Sequence, residues 1–186
     1  MKTVCRLSLA VMCLSLLCVA QDKPANPVSD TIRSLTQRYS KILVDTATTM
    51  PQENYGFKPM PDMNSFGHVI MHIAQSNYFL CSKISGAAAP ELKLTDSDPK
   101  DKLAQALKDS FDFCNSSLAK LDDSQMGEEV TMFGGRKSPK AAAVISLAGD
   151  FYDHYGALAV YMRLKGVLPP TAQRQPGMAA PKKDKD

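Results

Sequence analysis

The sequence predicts an all-α fold, an antiparallel four-helix bundle that spans residues 28–170. Four segments carry apolar residues at the three- and four-residue spacing of an amphipathic helix. Proline, glycine or a capping residue stands at the ends of these segments. The absence of Trp and the many Ala, Leu and Met residues favour helix packing over strands. Because the chain has 186 residues, we expect one domain with its own core.

The first two helices are predicted at residues 28–49 and 64–84, joined by a long loop at 51–64. This loop contains three prolines and a glycine, which exclude a helix, but it is apolar enough to pack over one end of the bundle. On the wheel of the second helix, His72 lies at the flank of the apolar stripe. His68 lies nearly opposite the stripe, so we expect it in solvent.

The other two helices are predicted from about residue 98 to 121 and from 138 to 165, again with a long loop between them. Within that loop, residues 130–133 are interpreted as an extended segment and Gly134-Gly135 as a turn. Residues 171–186 have no periodicity, and we interpret them as a disordered tail.

The N-terminus has the pattern of a signal peptide. Lys2 and Arg6 supply a short positive start, and residues 7–17 form an apolar run too short to span a bilayer. Residues 1–20 are therefore predicted to be removed, and residues 21–27 to form a flexible lead-in. This pattern predicts an exported protein, either periplasmic or secreted.

A lipoprotein anchor at Cys18 is a less favoured alternative. The bulky Leu17 precedes this cysteine at a position where a lipoprotein signal has a small residue. No later segment is long and apolar enough to cross a bilayer. The mature chain is therefore predicted to have no integral membrane segment.

Two cysteines remain in the predicted mature chain, Cys81 and Cys114. An oxidising compartment favours a disulfide between them. Two buried free thiols that pack as small apolar side chains are equally compatible with the sequence. Both alternatives stay open, because the sequence does not give the distance between the two residues.

The charge of the chain bears on its partners. The sequence has 22 Lys and Arg against 19 Asp and Glu, a net charge of +3. Nucleic-acid binding usually requires a clustered basic face, so no nucleic-acid partner is expected. We expect an unknown small molecule as the partner, and a homodimer is left open.

Two pairs of potential metal ligands share a four-residue spacing. Asp150 and His154 form one pair on the fourth helix, and His68 and His72 form the other on the second. His72, Asp150 and His154 fall at the edges of apolar stripes, where a groove between two helices would bring them together. Two imidazoles and a carboxylate suit one divalent ion such as Zn, Ni, Fe or Mn. The alternative is two hydrogen-bonded histidines and a solvated carboxylate.

The sequence around these residues resembles the DinB-like family. Ser65–Ala74, with Pro59 before it, is similar to the helix 2 signature of that family. His154–Leu158 and the following Tyr161–Pro170 are similar to its helix 4 signature. The resemblance extends from the first helix to the end of the second signature, and it implies a four-helix bundle.

The resemblance also implies that three side chains of the bundle bind one divalent ion. The family's helix 2 histidine matches His72, and its second helix 4 histidine matches His154. Its first helix 4 histidine falls on Asp150, where this sequence departs from the family pattern. A carboxylate still permits coordination, but it changes the affinity and the choice of metal. His68 matches no ligand position.

The resemblance implies relatives that are metal-dependent hydrolases or thiol-dependent transferases. Export weighs against a transferase, because small-molecule thiol chemistry is less natural outside the cytoplasm. In a hydrolase the ion would activate water, and Tyr55 or Tyr152 is a candidate for catalytic assistance. A non-catalytic bundle that binds a metal or another ligand stays open, as does a bundle without a metal.

Overall fold

The computed structural model describes residues 26–173. Its helices are α1 (Pro27–Thr49), α2 (Phe66–Ser85), α3 (Lys100–Leu118), α4 (Lys140–Leu164) and the short α5 (Pro170–Gln173). Strands β1 (Glu129–Thr131) and β2 (Lys137–Pro139) form an antiparallel hairpin between α3 and α4. The prediction of a four-helix bundle is confirmed. The predicted signal peptide and nearly all of the predicted lead-in lie outside the described residues.

The ends of α2 follow from local sequence. The Ser65 hydroxyl accepts a hydrogen bond from the backbone N–H of His68 at 3.1 Å and so caps the first turn. Gly86 ends the helix with a φ of 76°, a left-handed conformation that glycine adopts without a steric penalty. These caps fix the register of His72 relative to the rest of the bundle.

The bundle differs from the predicted antiparallel arrangement in the relative direction of α2 and α3, which are joined by a connection at residues 86–99 without regular secondary structure. Asn77 bonds to Ser110 and Cys81 to Cys114, so contacts between α2 and α3 advance in the same direction along both helices. These two helices are therefore parallel. An extended chain advances about 3.3 Å per residue against about 1.5 Å in a helix, so this connection can return along the whole of α2.

The returning connection ends beside the first turn of α2. There the carbonyl oxygen of Asp96 lies 3.0 Å from the position that a Cβ would occupy at Gly67. The Asp96 carboxylate lies 3.6 Å from Nδ1 of His68. A larger residue than glycine at position 67 would push the connection away from the helix.

The α2–α4 and α1–α3 pairs are antiparallel, as predicted. The Tyr161 hydroxyl of α4 bonds to the carbonyl of Asn64 before α2, while the middle of α4 lies beside His72. Lys100 at the start of α3 bonds to Thr48 near the end of α1. The α2–α4 interface is the one that carries the candidate site.

The core lies between the four long helices. Phe66, Phe111 and Phe151 are fully buried there, one each on α2, α3 and α4. Cys81 and Cys114 are also fully buried and are joined by a disulfide, with their Cα atoms 5.2 Å apart. Of the two alternatives left open by the sequence, the structure contains the disulfide.

The chain beyond α4 remains ordered for a few residues more than the sequence predicted. We predicted a tail without structure from Thr171, but this residue lies in α5 and bonds to Tyr155 through its hydroxyl at 2.6 Å. The next residue, Ala172, is buried. Residues 174–186, the rest of the predicted tail, lie outside the described residues. Among residues 26–173, no helix has both the length and the apolarity to cross a bilayer.

Candidate metal site

The antiparallel pair α2–α4 brings the three predicted ligands together. His72 comes from the second turn of α2, and Asp150 and His154 come from consecutive turns of α4. Because residues four apart stack on one face of a helix, both α4 side chains turn towards the same point on α2. One ligand atom from each residue lies within 4.8 Å of the other two.

The geometry centres on one carboxylate oxygen. Oδ1 of Asp150 lies 3.2 Å from Nε2 of His154 and 3.8 Å from Nε2 of His72. The two imidazole rings meet edge to face, with centroids 4.8 Å apart and an angle of 84° between their planes. The arrangement thus aims two ring nitrogens and one oxygen at a common region between the helices.

The site is half open to solvent. The side chain of His72 is 46% exposed, that of His154 20% and that of Asp150 13%. They line a surface cavity of about 360 Å³, a volume that suits a small molecule. The other residues of the cavity wall are Ser76, Leu80, Phe133, Ser146, Gly149 and Asp153.

The two histidines have opposite electrostatic environments. A hydrogen bond to Asp150 raises the pKa of His154 above its ordinary value of 6.5, although burial opposes this effect. Burial lowers the pKa of His72, and the neighbouring His154 lowers it further, against the attraction of Asp150. In the metal-free protein the first proton therefore binds to His154, while His72 stays neutral at neutral pH.

Two polar groups adjoin the histidines. The Ser76 hydroxyl lies 3.3 Å from Nε2 of His72, one turn along α2. A carboxylate oxygen of Asp153 lies 3.7 Å from Nδ1 of His154. Carboxylates near the second ring nitrogen commonly orient histidine ligands of metals. Asp153 is largely exposed, and its approach to His154 was not predicted from the sequence.

The donor set fits a divalent metal ion. With bonds of about 2.0–2.2 Å, the ligands of a tetrahedral ion lie about 3.4 Å apart, which is between the two distances measured from Asp150. All three ligand atoms lie within 4.8 Å of one another, so the two imidazoles would move closer together around a bound ion. The second carboxylate oxygen of Asp150, Oδ2, is buried and has no hydrogen-bond partner among the described residues. A buried carboxylate oxygen without a partner is costly, and a cation would remove that cost.

His68, the fourth member of the two predicted pairs, stays outside the cluster. It lies one turn before His72 and pairs with Asp96 instead. It is partly exposed, in keeping with the prediction that it faces solvent. His68 is therefore a natural control for experiments on the other two histidines.

Neither candidate tyrosine lies at the cavity. Tyr55 is buried under the end of the bundle, where its hydroxyl donates to the carbonyl of Ala47 at 2.6 Å. Tyr152 is exposed and packs edge to face against Tyr39 of α1. The prediction that one of these tyrosines assists catalysis is therefore wrong. Tyr55 packs in the core. Tyr152 lies two residues from both Asp150 and His154, so it points away from these ligands on the helix.

Fold and site together define a class of protein, a four-helix bundle with a cluster of metal-type ligands between two helices. The chain belongs to the DinB superfamily, whose family model matches residues 35–157. The resemblance found in the helix 2 and helix 4 sequences is confirmed. No curated protein matches the chain.

Several solved structures share the fold. A DinB-like protein from Bacillus subtilis has 25% identity and a TM-score of 0.60, over 73% of this chain and 92% of that one. A DinB-like protein from Bacillus cereus has 16% identity and a TM-score of 0.63, over 76% and 95%. The mycothiol-dependent maleylpyruvate isomerase has 12% identity and a TM-score of 0.55, over 73% and 66%. The last two are similar in fold alone.

Proposed function

We propose that this protein binds one divalent metal ion between α2 and α4 through His72, Asp150 and His154. The observation that carries the proposal is the convergence of three donor atoms within 4.8 Å, on a carboxylate whose other oxygen is buried without a partner. The set of two imidazoles and a carboxylate suits Zn, Ni, Fe or Mn. Its single negative charge leaves a divalent ion partly unneutralised and able to attract an anionic ligand.

We propose further that the site serves the hydrolysis of a small molecule. A bound divalent ion would supply Lewis acidity and lower the pKa of a bound water. The chain would contribute three ligands and leave the solvent side of the cavity, next to the half-exposed His72, for the substrate. Ser76 and Ser146 line the same cavity and can hydrogen-bond to a polar substrate group.

Two alternatives use the same ligands without hydrolysis. A thiol-dependent transfer is suggested by the fold of the mycothiol-dependent isomerase, at an identity that supports the fold alone. A non-catalytic bundle would bind a metal or another ligand and turn nothing over. The hydrolase and the transferase would differ in the substrate they turn over, and the non-catalytic bundle would bind a ligand without turnover.

Elemental analysis tests the metal site. The full chain, purified without chelators, is expected to carry about one equivalent of a divalent metal when saturated, because the donor set is complete. A His72→Ala, His154→Ala double variant is expected to carry almost none. The matched control is His68→Ala, which removes the same side chain from the same helix and should keep the metal. Equal metal contents in the wild type and the double variant would refute the proposal.

A substrate screen separates hydrolase from the alternatives. Protein loaded with Zn, Ni or Mn is offered esters, amides and thiol adducts. Hydrolysis of esters or amides that stops on chelation and in the double variant is the expected result. Turnover only of thiol adducts would favour the transferase, and turnover that chelation does not affect would exclude metal-dependent hydrolysis at this site.

We propose that the protein is exported. The apolar run at residues 7–17 behind Lys2 and Arg6 has the pattern of an export signal, and the Cys81–Cys114 disulfide supports an oxidising compartment. Cell fractionation and mass spectrometry of the mature N-terminus test this. Export with cleavage after Ala20 is expected. An acylated N-terminus at Cys18 would support the lipoprotein alternative, and an uncleaved cytoplasmic chain would contradict export.

A further inference from the structure

Phe133 is an aromatic residue in an unusual position. It lies between β1 and β2 at the tip of the hairpin, the residue is 63% exposed, and it lines the same cavity as the metal ligands. The hairpin belongs to the connection between α3 and α4, far in sequence from His72. Exposed single apolar residues are common, but this one lies at the edge of a polar site.

The ring of Phe133 is held in place. It stacks on Phe79 of α2, with centroids 3.7 Å apart and 19° between the planes. The neighbouring Met132 is buried and anchors the hairpin. Gly134 and Gly135 follow with φ of 67° and 77°, left-handed conformations that let the chain turn back directly after the ring. The ring is therefore placed before any ligand arrives.

The cavity thus has one polar and one apolar side. His72, Asp150 and His154 supply nitrogen and oxygen donors, while Phe133 and the buried Leu80 supply apolar surface. Small-molecule sites commonly combine an apolar wall with a few polar groups that fix orientation. A ligand that satisfies both sides has an anionic head for the cation and a flat apolar body for the ring.

We propose that Phe133 is a specificity-determining residue that binds the ring of a small aromatic carboxylate, whose carboxylate lies at the His72–Asp150–His154 site. This inference rests on the proposed metal site and adds to it the class of ligand. The ligand ring packs against the exposed part of the Phe133 ring, in an offset or edge-to-face arrangement. The carboxylate is drawn to the positive charge that a divalent ion keeps beside one aspartate.

The test compares benzoate with acetate, two carboxylates that differ by a ring. Both are titrated into the zinc-loaded full chain by calorimetry, and 4-fluorobenzoate binding is followed by ¹⁹F NMR. We expect benzoate to bind about three- to tenfold more tightly than acetate, the range of one aromatic contact. Phe133→Ala should abolish this preference and leave both acetate binding and the zinc content unchanged. Phe133→Leu should keep part of the preference.

Tyr152→Ala is the matched control, because it removes a similarly exposed aromatic ring that does not line the cavity. It should keep the preference for benzoate. Equal binding of benzoate and acetate to the wild type, or a preference that survives Phe133→Ala, would overturn the inference while the metal site stands. If the wild type retains no zinc, the proposed function and this inference both fail.

Discussion

Helix α2 presents polar side chains to both of its neighbours, but those facing α3 are sealed from solvent and those facing α4 border an open cavity. Towards α3, the helix presents Asn77 and Cys81, which are fully buried and bonded to α3 by a hydrogen bond and a disulfide. Towards α4 it presents His72 and Ser76, next to a cavity that is open to solvent. We call these two surfaces the closed face and the open face of α2.

The closed face can hold α2 rigidly in place, so that the open face keeps its ligands in position while it stays accessible to solvent. A metal site needs its ligands held within a fraction of an ångström, while its solvent side has to stay free for exchange. The covalent link and the fully buried contacts of the closed face hold α2 in place. The open face can then leave His72 46% exposed without losing its position relative to Asp150.

The largest expected effect concerns the disulfide of the closed face. Replacing Cys81 and Cys114 together by Ala should lower the free energy of unfolding by about 3–4 kcal/mol, because the bond closes a loop with a sequence separation of 33. Urea unfolding measures this change. The zinc content at saturation should remain that of the wild type. A change below about 1 kcal/mol would show that the disulfide does not stabilise the closed face, and a complete loss of zinc would show that the open face depends on it.

A matched pair of serine variants sharpens the comparison. Ser110→Ala on the closed face removes the only side-chain partner recorded for Asn77 within residues 26–173, and it should cost about 1–3 kcal/mol of unfolding free energy. Ser76→Ala on the open face removes a hydrogen bond to His72, which water can replace. Its cost should be below about 1 kcal/mol. Equal costs in urea unfolding would contradict the assignment of one face as closed.

The pH dependence of metal affinity is an effect that only the open face should produce. Asp150 raises the pKa of His154 above 6.5, so a metal ion must displace a proton even at pH values just above 6.5. Affinity should fall as the pH is lowered through this pKa, by up to about tenfold per pH unit. Because the pKa of His72 is lowered, protons compete with the metal ion for this ring only at lower pH. Zinc affinity measured against a competing chelator at pH 6, 7 and 8 tests this. A constant affinity would contradict it.

Much of the bundle could be predicted from the sequence, because apolar spacing and caps are local signals. The four-residue spacing of Asp150 and His154, the flank position of His72 and the resemblance to the DinB-like family together predict the cluster that the structure brings together. The relative direction of α2 and α3 was not predictable in this way. Residues 87–98 are predicted only as the connection between the second and third helices, and nothing in their composition shows that they return along the helix.

The sequence also predicts the other residues of the cavity only in part. Ser76 lies four residues after His72, so helical spacing could have indicated it. Phe133 could not be placed, because its position depends on how a hairpin between α3 and α4 docks onto Phe79. Such long-range contacts leave no periodic pattern in the chain.

The most direct test of the central claim is anomalous scattering from crystals of undialysed protein. We expect one peak about 2.0–2.2 Å from Nε2 of His72, Oδ1 of Asp150 and Nε2 of His154, the usual bond lengths of a divalent metal. We also expect this peak to disappear in crystals of the His72→Ala, His154→Ala variant. A map with no peak between α2 and α4 from metal-saturated protein, or a peak bound by other residues, would refute a metal site formed by His72, Asp150 and His154.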